Sequence, residues 1–126
     1  AVDIADSLGI VATLRSGGLA VFHFSGAVRF GGENRIELYG SEGTLIYYVS
    51  SHRILGGRAG DSELRPIEIP PDLVREWRAE ADFIDAIRHG TPVSPDFEEG
   101  LRYMEFTEAV YRSARSGQAI TLPLDS

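Results

Sequence analysis

The sequence predicts an α+β domain, built from a predominantly antiparallel sheet of about six strands with two helices packed on one face. Two patterns indicate this class. The first two-thirds of the chain alternates apolar and polar residues between glycine-rich turns, and the last third repeats apolar residues at helical spacing. The early strands leave no room for crossover helices, which excludes a parallel doubly wound sheet.

The predicted strands follow the chain as hairpins. Leu8–Arg15 and Leu19–Ser25 flank Ser16-Gly17-Gly18, a turn in which glycine adopts positive φ without steric cost. Further strands are predicted at Arg35–Tyr39, Thr44–Val49, Glu63–Ile69 and Ala119–Leu124. Pro66 indicates an edge strand or a bulge. The segment Ser50–Asp61, rich in glycine and arginine, is predicted to be a turn or an irregular excursion.

Two helices are predicted in the last third. Asp72 is the expected N-cap of the first, which ends near Gly90. Ser94 is the expected N-cap of the second, with Pro95 at its first position and Gly117 as its stop. The first helix has an apolar stripe formed by Leu73, Trp77, Ala81, Ile84 and Ile87, and the second carries Leu101, Met104, Phe106, Val110, Tyr111 and Ala114.

Length and composition limit the classes of protein. The 126 residues are the size of a single domain, 1–126, and the net charge of −7 argues against nucleic acid as a partner. The chain has no cysteine and no lysine, which excludes a disulfide framework, a P-loop and a Schiff base. No segment has the length and apolarity of a membrane span or a signal peptide, so a cytoplasmic location is expected. The first residue is Ala1, so we expect a chain that is processed or cut from a longer one.

No group of residues forms a self-sufficient catalytic centre or a metal site. The Gly-x-Gly-x-x-Gly fingerprint of a dinucleotide-binding loop is absent. The nearest glycine-rich stretch, Gly56-Gly57-Arg58-Ala59-Gly60, lies between predicted strands. The three histidines are widely spaced, and no Gly-x-Ser-x-Gly elbow supports a hydrolase. His23, between two phenylalanines in a strand, is either a satisfied core or interface residue or a group lining a ligand site.

One sheet face is predicted to pack on another subunit or another domain. Helices cover only one face of a sheet, yet Thr44–Val49 has apolar residues on both faces. A soluble monomer rarely exposes a large contiguous apolar patch. A homo-oligomer through this face is therefore expected.

An ordered set of motifs resembles a known family. The set consists of Gly18-Leu19-Ala20-Val21, the run from Arg35 to Leu45 that reads Arg-Ile-Glu-Leu-Tyr-Gly-Ser-Glu-Gly-Thr-Leu, the run Glu80–Arg88, Gly100-Leu101, and Glu108–Ala114. Over nearly its whole length, the chain resembles the C-terminal half of the glucose-fructose oxidoreductase and inositol dehydrogenase family (Gfo/Idh/MocA). Members join an N-terminal Rossmann domain for NAD(P) to a C-terminal α+β domain, which holds part of the substrate pocket and builds the oligomer interface.

The resemblance implies where the site residues lie. The family's catalytic lysine, aspartate and histidine precede the part matched here, so no catalytic residue is expected in this chain. The loop before the Glu-Leu-Tyr-Gly strand lies beside the substrate in relatives, which makes Arg29, Phe30 and Asn34 candidates. An aromatic residue three positions before the helix glutamate, here Trp77 before Glu80, often lines the pocket.

The resulting interpretation is a substrate-binding and oligomerisation domain of an NAD(P)-dependent oxidoreductase that acts on a sugar or polyol-like substrate. The domain alone is expected neither to bind the cofactor nor to catalyse, and its partners are a missing Rossmann domain, a small molecule and its own copies. The alternative is a free-standing ligand-binding or dimerisation module without enzymatic activity. The mass of the native gene product distinguishes the two.

Overall fold

A computed structural model of the chain describes residues 4–74 and 77–124. Six antiparallel strands and two helices in this part of the chain confirm the α+β class. The elements are β1 (Ser7–Thr13), β2 (Leu19–Ser25), β3 (Arg35–Gly40), β4 (Gly43–Tyr48), β5 (Arg53–Arg58), β6 (Arg65–Ile67), a 3₁₀ helix (Pro71–Leu73), α1 (Ala79–His89) and α2 (Phe97–Ser116).

The strands form two sheets, where the sequence predicted one. Strands β1 and β2 form a two-stranded sheet, and β3-β4-β5-β6 form a four-stranded sheet in chain order. The chain divides into two compact units. Within the described residues, the first holds 4–8 and 24–74 and the second holds 9–23 and 77–124. The packing of the helices against one face of a sheet stays a prediction.

The register of the four-stranded sheet separates an apolar face from a more polar one. Leu38 pairs with Leu45, and Leu45 pairs with Gly56 on the next strand. Because side chains alternate along a strand, paired residues share one face. The apolar face carries Ile36, Leu38, Leu45, Tyr47, Ile54 and Ile67, with Arg65 on the edge strand, and the opposite face combines Arg35, Glu37, Tyr39, Thr44, Tyr48 and Arg53 with the apolar Ile46, Leu55 and Pro66.

Strand β5 is a correction, because Ser50–Asp61 was predicted to be irregular. Gly56 gives a weak strand signal, yet the sheet has a packing reason for it. A Cβ on Gly56 would lie 2.5 Å from Cδ1 of Ile67 and 3.0 Å from Cδ2 of Leu45. The side chains of neighbouring strands occupy the space above this glycine. The edge position predicted from Pro66 is confirmed, since β6 is the last strand of its sheet.

The β1–β2 hairpin turns where the sequence predicted. Gly17 has φ of +89°, and its N–H donates to the carbonyl of Leu14 at 2.8 Å. The N–H of Leu14 donates in turn to the carbonyl of Gly18 at 2.7 Å. In the second unit, Phe22 of this hairpin packs on Phe106 of α2 with ring centroids 5.6 Å apart. The hairpin is thereby joined to the longer helix by an aromatic contact.

Helix α1 begins later than predicted. The expected N-cap Asp72 lies in the 3₁₀ helix, which ends where Val74 adopts extended backbone (φ −74°, ψ 113°). The N-cap of α1 is Arg78, whose side chain makes no capping hydrogen bond. Trp77 is thus not part of a continuous helical stripe. The predicted end is confirmed, because Gly90 has left-handed backbone with φ of 64°.

Helix α2 begins with a capping box. Asp96, not Ser94, is the N-cap: Asp96 Oδ1 accepts from the N–H of Glu99 at 2.9 Å, and Glu99 Oε2 accepts from the N–H of Asp96 at 3.0 Å. Aspartate with glutamate three residues later satisfies two exposed donors at once. The stop at Gly117 is confirmed by its left-handed φ of 67°. The strand predicted at Ala119–Leu124 is wrong, since this described segment has no ladder.

Candidate functional site

The loop between β2 and β3 carries three of the five candidate residues, namely Arg29, Phe30 and Asn34. Both ends of the loop are held. The Ser25 hydroxyl accepts from the N–H of Ala27 at 3.2 Å, and the carbonyl of Asn34 accepts from the N–H of Val49 at 2.9 Å. The centre of the loop therefore projects from two fixed ends.

Glu33 provides a further anchor for this loop. Glu33 Oε1 accepts from the N–H of Ser51 in the turn between β4 and β5, at 2.5 Å. The guanidinium of Arg53 lies 3.9 Å from the other carboxylate oxygen. Hydrogen bonding from Ser51, helped by the positive charge of Arg53, lowers the pKa of Glu33 below its ordinary value. The loop is thus tied to the four-stranded sheet by a charged group.

Phe30 stands at the tip of the loop. Its side chain is fully exposed, and its backbone is left-handed with φ of 62°. Only a few per cent of non-glycine residues adopt positive φ, and bulky ones least readily. Strained backbone of this kind persists only where the surrounding structure enforces it, and it is concentrated at active sites and ligand-binding segments. Gly32, two residues later, also has positive φ, at 79°.

Trp77 lies in the second unit, two residues before α1. Its indole Nε1–H donates to Glu80 Oε2 at 2.7 Å, while 81% of the residue stays exposed. Beside it, the guanidinium of Arg78 contacts Asp82 at 3.2 Å and Asp85 at 4.0 Å. Glu80 and Asp82 lie in the first turn of α1, where the helix dipole favours negative charge. An exposed aromatic ring is thereby fixed at the start of a helix.

His23 lies in β2 and is exposed. Its neighbour Phe22 is half-buried and contacts α2 within the same unit, so the alternation of the strand directs the histidine to the other side. Both roles considered for His23 stay predictions.

The structure groups the candidates only in part. Arg29, Phe30 and Asn34 share one loop of the first unit, whereas His23 and Trp77 belong to the second unit. Sequence reasoning missed the parts played by Glu33 and Glu80. Trp77 precedes the N-cap of α1, so the contact with Glu80 does not follow from helical spacing. The bond from Glu33 to Ser51 spans 18 residues and leaves no local pattern.

The apolar face of the four-stranded sheet contains a depression of about 690 Å³. Leu38, Leu45 and Ile67 are among its apolar lining residues, and Arg58 and Asp61 are among its charged ones. The exposed fractions of Leu38 and Leu45 are 59% and 45%. This surface is apolar, open and separate in sequence from the loop that carries Phe30.

The glycine-rich stretch of the chain does not form a phosphate-binding loop. The glycine-rich stretch from Gly56 to Gly60 starts within β5, where Gly56 and Gly57 are paired with β4. A phosphate-binding glycine loop instead joins a strand to the N-terminus of a helix. No group of three or more potential metal ligands occurs within residues 4–74 and 77–124. Over the same residues, no helix combines the length and apolarity that crossing a bilayer requires.

Comparison with known proteins places this architecture. A family profile described as the C-terminal alpha/beta domain of an oxidoreductase family matches residues 5–122. Inositol 2-dehydrogenase from Rhizobium meliloti (strain 1021) is 26% identical over 121 residues, which cover 93% of the chain but 37% of that relative. No solved structure shows significant similarity to the chain. The antiparallel strands followed by two helices agree with this match, and the chain belongs to the Gfo/Idh/MocA oxidoreductase family as its C-terminal α/β domain.

Proposed function

We propose that this chain is the substrate-binding and oligomerisation domain of an NAD(P)-dependent oxidoreductase that acts on a cyclic polyol or a sugar. The observation that carries the proposal is the family match over residues 5–122, together with a relative named inositol 2-dehydrogenase. The chain spans 37% of the length of that relative, so the proposal assigns cofactor binding and catalysis to a separate domain. The proposal includes the cytoplasmic location that the sequence analysis expects.

The residues proposed to contact the substrate are the five candidates, taken within their own units: Arg29, Phe30 and Asn34 in the first, and His23 and Trp77 in the second. A cyclic polyol has hydroxyl groups around its edge and carbon–hydrogen bonds on its faces. Arg29 donates hydrogen bonds, and the Asn34 amide both donates and accepts them. Phe30 and Trp77 offer exposed ring surfaces for the carbon–hydrogen faces. The imidazole of His23 adds ring nitrogens that take part in hydrogen bonds.

The proposed subunit interface is the apolar face of the four-stranded sheet. Ile36, Leu38 and Ile67 on this face are 54%, 59% and 46% exposed. Each exposed apolar side chain that another subunit covers contributes roughly 25 cal/mol per Å² of buried apolar surface. A second copy of the domain is the partner that this proposal names.

Saturation-transfer NMR on the 126-residue chain tests substrate binding, because it detects weak ligands directly. We expect saturation transfer to myo-inositol and none to NAD⁺ or NADP⁺. Arg29→Ala and Phe30→Ala should reduce transfer to myo-inositol, whereas Arg102→Ala, a change in α2 that the proposal leaves outside the pocket, should not. Transfer to a dinucleotide without transfer to myo-inositol contradicts the assignment.

Sedimentation velocity at micromolar concentration tests the interface. We expect the wild-type chain to sediment as an oligomer and Leu38→Glu to sediment as a monomer. Thr44→Glu is the matched control, because Thr44 lies on the opposite face of the same sheet. A wild-type chain that remains monomeric, or a Leu38→Glu variant that remains oligomeric, contradicts this interface.

A further inference from the structure

We propose that Glu80 is a positioning residue that holds the indole of Trp77 as a flat platform for the carbon–hydrogen face of a cyclic polyol. The inference rests on the proposed function, which makes Trp77 a wall of the pocket. It adds a role for a carboxylate that the sequence motif left without one. The observation behind it is the 2.7 Å hydrogen bond from indole Nε1 to Glu80 Oε2.

The geometry uses only the edge of the indole. Nε1–H is the single donor of the tryptophan side chain, and the carboxylate satisfies it. The residue is nevertheless 81% exposed, so the ring keeps most of its surface open to a ligand. A hydrogen bond to a charged acceptor is shorter and stronger than a neutral one. The bond therefore restricts rotation of the ring without covering it.

The position of Glu80 in α1 makes the anchor itself rigid. Glu80 is the second residue of a helix that begins at Ala79, and the helix N-terminus favours a negative charge there. Trp77 lies outside the helix, so the bond joins a non-helical residue to a helical one. Without Glu80, the hydrogen bond would be lost, and only the backbone through Arg78 would connect Trp77 to the helix.

A fixed ring matches the chemistry of a cyclic polyol. Binding immobilises flexible side chains at an entropic cost, and a ring already held in place avoids part of that cost. The second oxygen of the carboxylate lies at the same edge of the indole, and an ionised carboxylate accepts several hydrogen bonds. A polyol stacked on the ring would meet this acceptor with the hydroxyls at its edge.

Trp77 is the one tryptophan of the chain, so intrinsic fluorescence reports on this ring alone. The variants are Glu80→Ala, Glu80→Gln, which retains an oxygen acceptor, and Glu98→Ala. Glu98 is the matched control, because it is likewise the second residue of its helix, α2, and is exposed. Fluorescence anisotropy without ligand measures the mobility of the ring. Titration with myo-inositol measures binding, and glycerol serves as a polyol without a ring.

We expect Glu80→Ala to lower the anisotropy and to weaken the response to myo-inositol roughly three- to tenfold, the value of a single hydrogen bond. Glu80→Gln, whose neutral amide oxygen accepts a weaker bond, should fall between Glu80→Ala and wild type, Glu98→Ala should keep both properties, and glycerol should cause no response in any variant. Unchanged anisotropy in Glu80→Ala overturns the positioning role and leaves the proposed function intact. Lowered anisotropy without any wild-type response to myo-inositol overturns the platform and counts against the proposed substrate as well.

Discussion

Glu33 accepts a hydrogen bond from the backbone N–H of Ser51 and so ties the loop that carries Phe30 to the turn between β4 and β5. The contact joins residues 18 positions apart within one unit. It lies three residues from Phe30, whose left-handed backbone requires support from its surroundings. We infer that the carboxylate of Glu33 helps to hold the strained tip of the loop.

Neutralising Glu33 should loosen this loop and change its response to acid. The pKa of Glu33 is lowered, so its contribution to stability is present above the unfolded value of about 4.3 and is lost as the pH falls through the folded pKa. We expect Glu33→Gln to lose part of this acid dependence and to speed hydrogen exchange at the Ser51 amide. NMR titration of the glutamate side-chain carbons and amide exchange measure the two effects. Glu68→Gln serves as the control; equal exchange at Ser51 in both variants and in wild type contradicts the anchor.

The side chains of β3 predict a second titration. Glu37 accepts from Arg35 Nε at 2.5 Å and from the Tyr39 hydroxyl at 2.8 Å. The hydrogen bond to this carboxylate raises the pKa of Tyr39, while Arg35, followed by Tyr39, lowers the pKa of Glu37. A raised tyrosine pKa stabilises the fold below the unfolded value of about 10, and the effect disappears as the pH rises through the folded pKa.

Glu37→Gln should therefore move the pKa of Tyr39 down toward its ordinary value. Tyrosinate absorbance, compared with that of Tyr39→Phe to assign the signal, measures this shift. Glu42→Gln, in the turn after β3, is the control and should leave the Tyr39 titration unchanged. A Tyr39 signal that Glu37→Gln does not move is incompatible with the hydrogen bond.

Three glycines predict different responses to an added methyl group. A Cβ on Gly43 would meet the backbone carbonyl of Gly57, which cannot move without distorting the ladder. A Cβ on Gly56 would meet the end of the Ile67 side chain, which is able to turn away, and Gly9 has open space around it. We expect Gly43→Ala to lower the free energy of unfolding by about 1–3 kcal/mol, Gly56→Ala by less, and Gly9→Ala to leave it unchanged or raise it slightly.

Urea unfolding of the three variants measures this order. The double variant Gly56→Ala with Ile67→Ala should lose less free energy of unfolding than the two single variants lose in sum, because the shortened side chain no longer occupies the space of the new methyl group. Equal destabilisation by Gly43→Ala and Gly9→Ala refutes the explanation from the close approach of β4 and β5.

These glycines also explain where sequence reasoning reached its limit. Alternation and turn chemistry located β1 to β4 to within two residues, because their signals are local. Strand β5 was missed because Gly56 and Gly57 lack the side chains that normally mark a strand. The space beside each glycine is occupied by a side chain from another part of the chain, Ile67 beside Gly56 and Leu64 beside Gly57. The sequence of one strand does not reveal such a contact. The segment Ala119–Leu124 shows the reverse case. Its composition is typical of a strand, but it pairs with no strand among the described residues.

The candidate site likewise combines features that the sequence predicts with features that only the structure shows. The resemblance directed attention to Phe30 and Trp77, and each is an exposed aromatic residue. The contacts that hold the surrounding backbone or the ring, through Glu33 and Glu80, required coordinates. A periodicity argument had placed Trp77 in a helical stripe, whereas α1 starts two residues after it. The fold class could be predicted because it depends on the pattern of apolar and polar residues along the chain. The hydrogen bonds of Glu33 and Glu80 could not, because they depend on distances between atoms in the folded structure.

The capping box of α2 predicts how much one side chain contributes to the longer helix. Asp96→Ala removes the acceptor for the Glu99 N–H and should lower the free energy of unfolding by about 1 kcal/mol. Asp96→Asn retains a capping oxygen and should lose much less. Glu98→Ala removes one charge from the same turn without touching the box, so it separates the hydrogen bond from the helix dipole. Thermal and urea unfolding give the comparison: if Glu98→Ala costs as much as Asp96→Ala, charge at the helix terminus rather than the capping oxygen stabilises the start of α2.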